Sequence, residues 1–251
     1  VLDDLRDSQE PQTQRFRLEN ATGDHVWIEA RLIAHHAPDG RFAGSRGVLR
    51  DVTAAHLNEQ HITQLALYDN LTKLPNRLLL DNQLLQALER ARSKQTRVAL
   101  GFIDLDHFKS INDSFGHEAG DVVLKEAAST IARYLRRGDM LVRWGGEEFV
   151  LIMPNTDHQQ AGVAMSRLRQ GGFGWRPDQA PVTASIGLSE IKADRCDDWR
   201  KLIEIADRRM YVAKRRGRNQ VCDSDDSTVE RLRHAGEPVV NYRSIVPAGE
   251  L

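Results

Sequence analysis

Val98-Ala99-Leu100-Gly101-Phe102-Ile103-Asp104-Leu105-Asp106 is an almost unbroken apolar run that ends in two acids. Without polar alternation it reads as a strand buried on both faces. It therefore predicts a central strand with Asp104 at its exposed tip. Further along, Met140 to Trp144 and Phe149 to Met153 read as short apolar strands on either side of Gly145-Gly146-Glu147-Glu148. A Gly-Gly pair between such runs favours a tight hairpin, because both central residues can adopt positive φ. That turn presents Glu147 and Glu148 beside backbone that a phosphate can approach. Hard cations such as Mg²⁺ take carboxylate and carbonyl oxygens together with phosphate oxygens. Asp104 and Glu147 offer two such ligands from separate elements. Either acidic pair alone reads equally well as a solvated turn; the two together point to a divalent-cation site.

Outside these runs the apolar spacing is helical. A stripe of Leu78, Leu79, Leu85 and Leu88 predicts a helix from after Pro75 to about Arg92. Leu124, Ala127, Ala128, Ile131 and Leu135 predict another from Ala119 to Arg136. Further helices are expected at 157–170 and 198–215, and a strand at 182–188. The alternation gives an α/β (α+β) domain with a central, mostly antiparallel sheet covered by helices.

Before residue 69 the character differs. Val26 to Leu32 alternates like a half-buried strand, Asp39-Gly40 marks a turn, and Gly44 to Val52 reads as a further strand. Residues 54–67 lack glycine and proline and read as helix, with Ile62, Leu65 and Ala66 on one face and Thr53 as its cap. The expected organisation is a β segment over 1–53, a helical linker over 54–68, the α/β domain over 69–222 and a polar, flexible tail over 223–251.

With 35 basic and 36 acidic residues, no global charge favours nucleic acid or a membrane surface as partner. Cys196 and Cys222 have no metal or redox spacing, which fits a reducing cytoplasm. No stretch approaches the roughly 20 apolar residues of a membrane span. The start at Val1 suggests a fragment of a longer chain, whose upstream part could carry a membrane anchor or sensor.

The order of motifs carries a family resemblance. Asp69-Asn70-Leu71-Thr72-Lys73-Leu74-Pro75-Asn76-Arg77 is followed by the segment from Asp104 through Phe108, Lys109, Asn112 and His117 to Asp121, and then by Gly145 to Phe149. Ser185-Ile186-Gly187 and the run from Ala206-Asp207 to Asn219 complete the series. From about Asp69 to Val221 the sequence resembles the GGDEF-type diguanylate cyclases, here with Gly-Gly-Glu-Glu-Phe as the signature. The resemblance implies a ferredoxin-like fold related to polymerase palms. It implies condensation of two GTP molecules to cyclic di-GMP with release of pyrophosphate, in a homodimer whose two nucleotides face each other.

Carried over residue by residue, the resemblance assigns Mg²⁺ (or Mn²⁺) ligation to Asp104, the Leu105 carbonyl and Glu147, with Glu148 close by. Glu147 is the expected proton acceptor and Glu148 its rival. Lys109 would neutralise transition-state charge, while Lys214 and Arg218 would hold the β- and γ-phosphates. The N–H groups of Asp106 to Phe108 would form an anion-binding turn. Asn112 and Asp121 would read guanine, disfavouring other nucleotides, with His117, Gly145 and Gly146 also near the substrate. His107 replaces the family's usual aromatic; as that position serves backbone and packing, reduced activity is expected.

Arg136-Arg137-Gly138-Asp139 has the spacing of the family's inhibitory product site, with Arg167 as a further arginine; its plain alternative is an ordinary helix end. The 1–53 segment resembles the last strands of a PAS sensor domain, too short for the helices that wall a ligand pocket. The alternative to an active cyclase is a regulatory module that binds GTP or cyclic di-GMP with little turnover.

Overall fold

The structure is a computed structural model that describes residues 10–196 and 198–225. Most of the expected tail, 226–251, lies outside the described residues. The chain divides into two units between Ala66 and Leu67.

The first unit is an antiparallel three-stranded sheet, β1 (Gln12–Glu19), β2 (His25–His36) and β3 (Phe42–Asp51), in that order, followed by helix α1 (Thr53–Leu67). β1 escaped the sequence reading because its Gln, Thr and Arg residues carry little apolar signal; all eight are exposed. Thr53 does not cap α1 with its side chain: its hydroxyl accepts the Trp27 N–H at 2.8 Å, joining the helix start to β2. No residue of α1 is buried, and Leu57, Ile62 and Leu65 stand exposed.

The second unit comprises α2 (Arg77–Lys94), β4 (Val98–Leu105), α3 (Phe108–Phe115), α4 (His117–Tyr134), β5 (Met140–Gly145), β6 (Glu148–Pro154), α5 (His158–Gly171), β7 (Ala184–Glu190), α6 (Trp199–Arg215) and β8 (Val221–Cys222). The sheet order is β5-β6-β4-β7-β8, antiparallel except for the short β7–β8 pairing. The expected mixed α/β fold with a mostly antiparallel sheet is therefore present. The expected helices lie within about two residues of their ranges, and α3 was not foreseen. Asn76 caps α2 by accepting the Leu78 and Leu79 N–H groups, and Asp157 caps α5 in a reciprocal box with Gln160.

Strand β4 is buried at every residue, as its composition requires. Its alternate side chains feed two cores. Ala99, Ile103 and Leu105 join the layer under α3, α4 and α5, whereas Val98, Leu100 and Phe102 join the layer under α2 and α6. Asp104 shares the parity of the second set, so its carboxylate belongs to the α6 side. Helix α6 can lie that close because of Gly187 on β7. A Cβ there would stand 1.8 Å from the Ala206 carbonyl oxygen and 2.3 Å from the Met210 nitrogen.

The hairpin between β5 and β6 differs from expectation in one respect. Gly146 alone of the pair has positive φ, at 45°. Gly145 remains in β5 opposite Glu148, with a register shift after Arg143, so Gly146 and Glu147 form the turn. The bulge uses up one residue of the pair and places Glu147 in the turn itself.

Candidate active site

The ends of β4 and β6 meet at a cross-strand pair, Asp104 opposite Glu148. Like charges directly opposite each other repel, and the site is shielded from water. Burial, reinforced by Asp104 and Asp207 and opposed by Lys214, pushes the Glu148 carboxyl up to about 7. Burial also lifts Asp104. The Lys214 hydrogen bond and charge draw it back, Glu147 and Asp106 push it up again, and the result is about 6. Glu147 joins the same end of the sheet through its carbonyl, which accepts the Leu105 N–H at 3.3 Å. The two acidic segments therefore converge.

Lys214 reaches this cluster from α6. Its Nζ donates to Asp104 Oδ2 at 2.6 Å. The expected phosphate ligand is thus the counter-ion of the strand-tip carboxylate in this structure, a contact across 110 residues of sequence. Arg218, its expected companion, is exposed in the left-handed region at φ 63°, with its N–H on the Ala213 carbonyl. Lys109 is exposed in the first turn of α3.

Two expectations about the turn after β4 need correction. The Asp106 N–H is not free for an anion, because it donates to the Thr183 carbonyl at 2.8 Å. Asp106 itself is a buried anchor, accepting from the Thr183 and Ser185 hydroxyls at 2.8 and 2.7 Å and from the Asn219 N–H at 2.9 Å. Phe108 points into the core beside Ile111, so only its N–H, in the first turn of α3, remains for a ligand. His107 is exposed at φ 58° and contributes no packing.

Asn112 and Asp121 lie on α3 and α4 either side of the bend at Gly116, where φ is 84°. Asn112 Oδ1 is buried without a hydrogen-bond partner, a costly state that a ligand donor would relieve. Gly120 makes room for it, since a Cβ there would stand 1.9 Å from that oxygen. Asp121 and His117 are exposed.

The sequence reading missed the support of the Gly-Gly turn. Arg143 donates through Nε and Nη2 to the Gly146 carbonyl at 3.0 and 2.8 Å, and through Nη1 to both Asp69 oxygens at 2.9 and 3.0 Å. Asp69 also accepts the Thr72 N–H and hydroxyl at 2.7 and 2.6 Å. Burial raises the Asp69 carboxyl, but the Thr72 bonds and the Arg143 pair outweigh it and hold the group below the usual range. Arg77 lies over the Trp144 ring, 4.2 Å from its centroid. Asp69, Asn76, Arg77, Arg143, Trp144 and both glycines line a cavity of about 400 Å³ against the turn.

Of the expected inhibitory residues, the structure brings two together. Arg136 and Asp139 form an ion pair at 3.1 Å, while Arg167, on α5, faces a separate groove of about 620 Å³ with His158 and Asp223.

The donor set suits a divalent cation. Among the described residues no group of three or more His, Cys, Asp or Glu side chains forms a ready-made cage. Mg²⁺ does not need one; it is commonly held by one or two carboxylates and completed by substrate phosphates. The crowded carboxylates of Asp104 and Glu148, both shifted upward by burial and by neighbouring carboxylates, are where added positive charge is most favourable. No helix among the described residues is long and apolar enough to cross a membrane.

A buried acidic strand tip, an acidic hairpin and a facing lysine mark one end of the sheet in this α/β domain. The model of the diguanylate cyclase GGDEF domain matches residues 66–220, and the chain belongs to that family. It is 37% identical over 192 residues to MucR of Pseudomonas aeruginosa, a bifunctional diguanylate cyclase and cyclic di-GMP phosphodiesterase, covering 75% of this chain and 28% of MucR. The coiled coil and GGDEF domain of DgcB from Caulobacter crescentus, solved with c-di-GMP, superposes with a TM-score of 0.62 at 29% identity, covering 69% of this chain and 93% of that one. The active GGEEF domain of a Vibrio cholerae diguanylate cyclase gives a TM-score of 0.55 at 29% identity, covering 60% of this chain and 98% of that one. The matched region spans between 17% and 37% of the length of the curated relatives.

Proposed function

We propose that this chain is a diguanylate cyclase that condenses two GTP molecules into cyclic di-GMP and two pyrophosphates. The observation that carries the reading is the convergence of Asp104, Glu147, Glu148 and Lys214 at one end of the sheet, within a domain of this family. The reaction is attack of a ribose 3′-hydroxyl on the α-phosphate of a second GTP. A bound Mg²⁺ (or Mn²⁺), held by Asp104, the Leu105 carbonyl, Glu147 and Glu148, would neutralise phosphate charge and acidify the hydroxyl.

The chain's own residues supply the rest. Glu147, in the turn, and Glu148, one residue on at the strand tip, are the two candidates to accept the hydroxyl proton. Burial raises the Glu148 carboxyl to about 7, and a cation on that carboxylate would lower it again. Lys214 sits on Asp104 at 2.6 Å, and its flexible stem lets the ammonium turn to the β- and γ-phosphates beside Arg218. Lys109 and the first N–H groups of α3 face the phosphates. Asn112 offers its unpartnered amide oxygen to guanine donors, and Asp121 accepts from the same edge, which selects GTP over ATP.

One such site holds one GTP, so closing both phosphodiester bonds needs two subunits face to face. The exposed Leu57, Ile62 and Leu65 of α1 suit pairing with a second copy, downstream of a three-stranded sheet that we read as the C-terminal part of a PAS sensor. Arg136 and Asp139, with Arg167, would bind cyclic di-GMP as a brake.

The test is incubation with GTP and Mg²⁺ over a range of protein concentrations, with nucleotides resolved by chromatography. Cyclic di-GMP should form from the wild type, and Glu147→Ala, Glu148→Ala and chelated samples should yield none. Absence of product from the wild type at every concentration would reduce the chain to a nucleotide-binding regulatory module.

A further inference from the structure

The guanidinium of Arg136 is already spoken for. Its Nε donates to Asp139 Oδ1 at 3.1 Å, while the Arg136 backbone N–H takes Asp139 Oδ2, also at 3.1 Å. Its Nη2 donates to the Pro154 carbonyl at 2.7 Å and to the Thr156 hydroxyl. Thr156 lies just past β6, only 3% exposed, and its own hydroxyl proton goes to the Pro154 carbonyl at 3.1 Å.

Guanidinium geometry turns this into a constraint. Arginine grips guanine O6 and N7 with two parallel N–H groups, taken either from Nη1 and Nη2 or from Nε and Nη2. Both edges need an Nη2 hydrogen. Here Nη2 already donates to both Pro154 and Thr156, so a fork along either edge has to compete with those acceptors. Breaking the Thr156 contact leaves a buried hydroxyl oxygen without its charged donor, which opposes ligand binding.

We infer that Thr156 is an internal competitor for Arg136 and sets the affinity of the Arg136–Asp139 site for guanine nucleotides. This rests on the reading of that site as the seat of cyclic di-GMP. Thr156 is a positioning residue: it touches no ligand and acts by occupying the arginine hydrogen that the ligand needs. Valine at this position keeps the shape and removes the acceptor. Nη2 then has only Pro154 to satisfy and can join a fork to guanine.

The measurement is calorimetric titration of cyclic di-GMP into protein without GTP, so that turnover plays no part. Thr156→Val should bind more tightly than wild type by about tenfold or more, the lower end for one hydrogen bond to a charged group. Thr156→Ser, which restores the hydroxyl, should return to the wild-type value, and Arg136→Ala should lose binding. Thr156→Ala gives a second acceptor-free variant if valine impairs folding, as read by circular dichroism melts. If Arg136→Ala binds like wild type, the ligand site itself is wrongly placed. If Arg136→Ala abolishes binding while the acceptor-free variants bind no more tightly than wild type, or if serine tightens as much as valine, the competition is overturned and the site reading stands.

Discussion

Asp69 and Arg143, 74 residues apart, are joined by two hydrogen bonds at 2.9 and 3.0 Å. The same arginine holds the Gly146 carbonyl at 2.8 Å. The segment entering the second unit is thereby tied to the turn that carries Glu147. Geometry at a reacting centre must be held to a fraction of an ångström, and a Gly-Gly turn has little stiffness of its own.

Arg143→Lys should therefore lower turnover by about tenfold or more while the protein stays folded. Lysine keeps the charge but cannot span Asp69 and Gly146 with a planar fork. Steady-state cyclic di-GMP synthesis beside a thermal melt separates the two effects. A lysine variant with wild-type turnover would show that the turn positions itself.

The acidic tip should make the protein less stable as pH rises. Glu148, raised from 4.5 to about 7, binds its proton more tightly in the folded than in the unfolded state. Stability is therefore lost progressively between about pH 4 and 7 and stays low above that window. Glu148→Gln removes this loss. Allowing for solvent screening, the gain at pH 8 is about 1–2 kcal/mol, or a Tm rise of roughly 3–6 °C in a domain of this size. The difference should vanish near pH 4. A melting profile across pH in chelator tests this, and equal Tm values at pH 8 contradict it.

Asn112 should trade stability for binding. Asn112→Ala removes an oxygen that is buried without a donor, so Tm should hold or rise slightly. The KM for GTP should rise by about tenfold, as expected when a polar base contact is lost. A clear fall in Tm with unchanged KM would mean that the side chain supports the α3–α4 junction instead.

The buried pair behind the sheet should matter to folding alone. Arg209, 4% exposed, donates to Asp194 at 2.6 and 3.1 Å and to the Leu188 carbonyl at 2.6 Å. Asp194→Ala strands that charge and should cost about 3–5 kcal/mol. Asp225, whose side chain is 49% exposed and touches Arg209 at 3.3 Å, should cost under about 1 kcal/mol when replaced by alanine. Urea unfolding of the two variants checks the ranking; equal losses would contradict it.

Much of this molecule was legible from adjacent residues. An apolar run without alternation reads as an inner strand, and the i, i+3, i+4 spacing of Leu124, Ala127, Ala128 and Ile131 reads as a buried helical stripe. Asp104, Glu147 and Glu148 stood out because acids seldom interrupt such runs. β1 was missed for the opposite reason: a strand exposed along its length need not carry an apolar pattern. The Gly-Gly turn was misassigned by one residue because a bulge at Gly145 depends on pairing with β6, not on the dipeptide.

By itself, then, the order of residues determined most of the elements, the acids at their tips and the family to which the chain belongs. Only the tertiary structure decided that Lys214 neutralises Asp104, that Arg143 braces the turn from Asp69, and that Asp106 is an anchor and not part of an anion cradle. The reason is range. Periodicity and turn chemistry act between neighbours, whereas ion pairs and raised carboxyl pKa values depend on which strand ends meet and how much water is excluded. Here the β4–β6 register brings the acids together, and the close approach of α6 over Gly187 brings Lys214 to them.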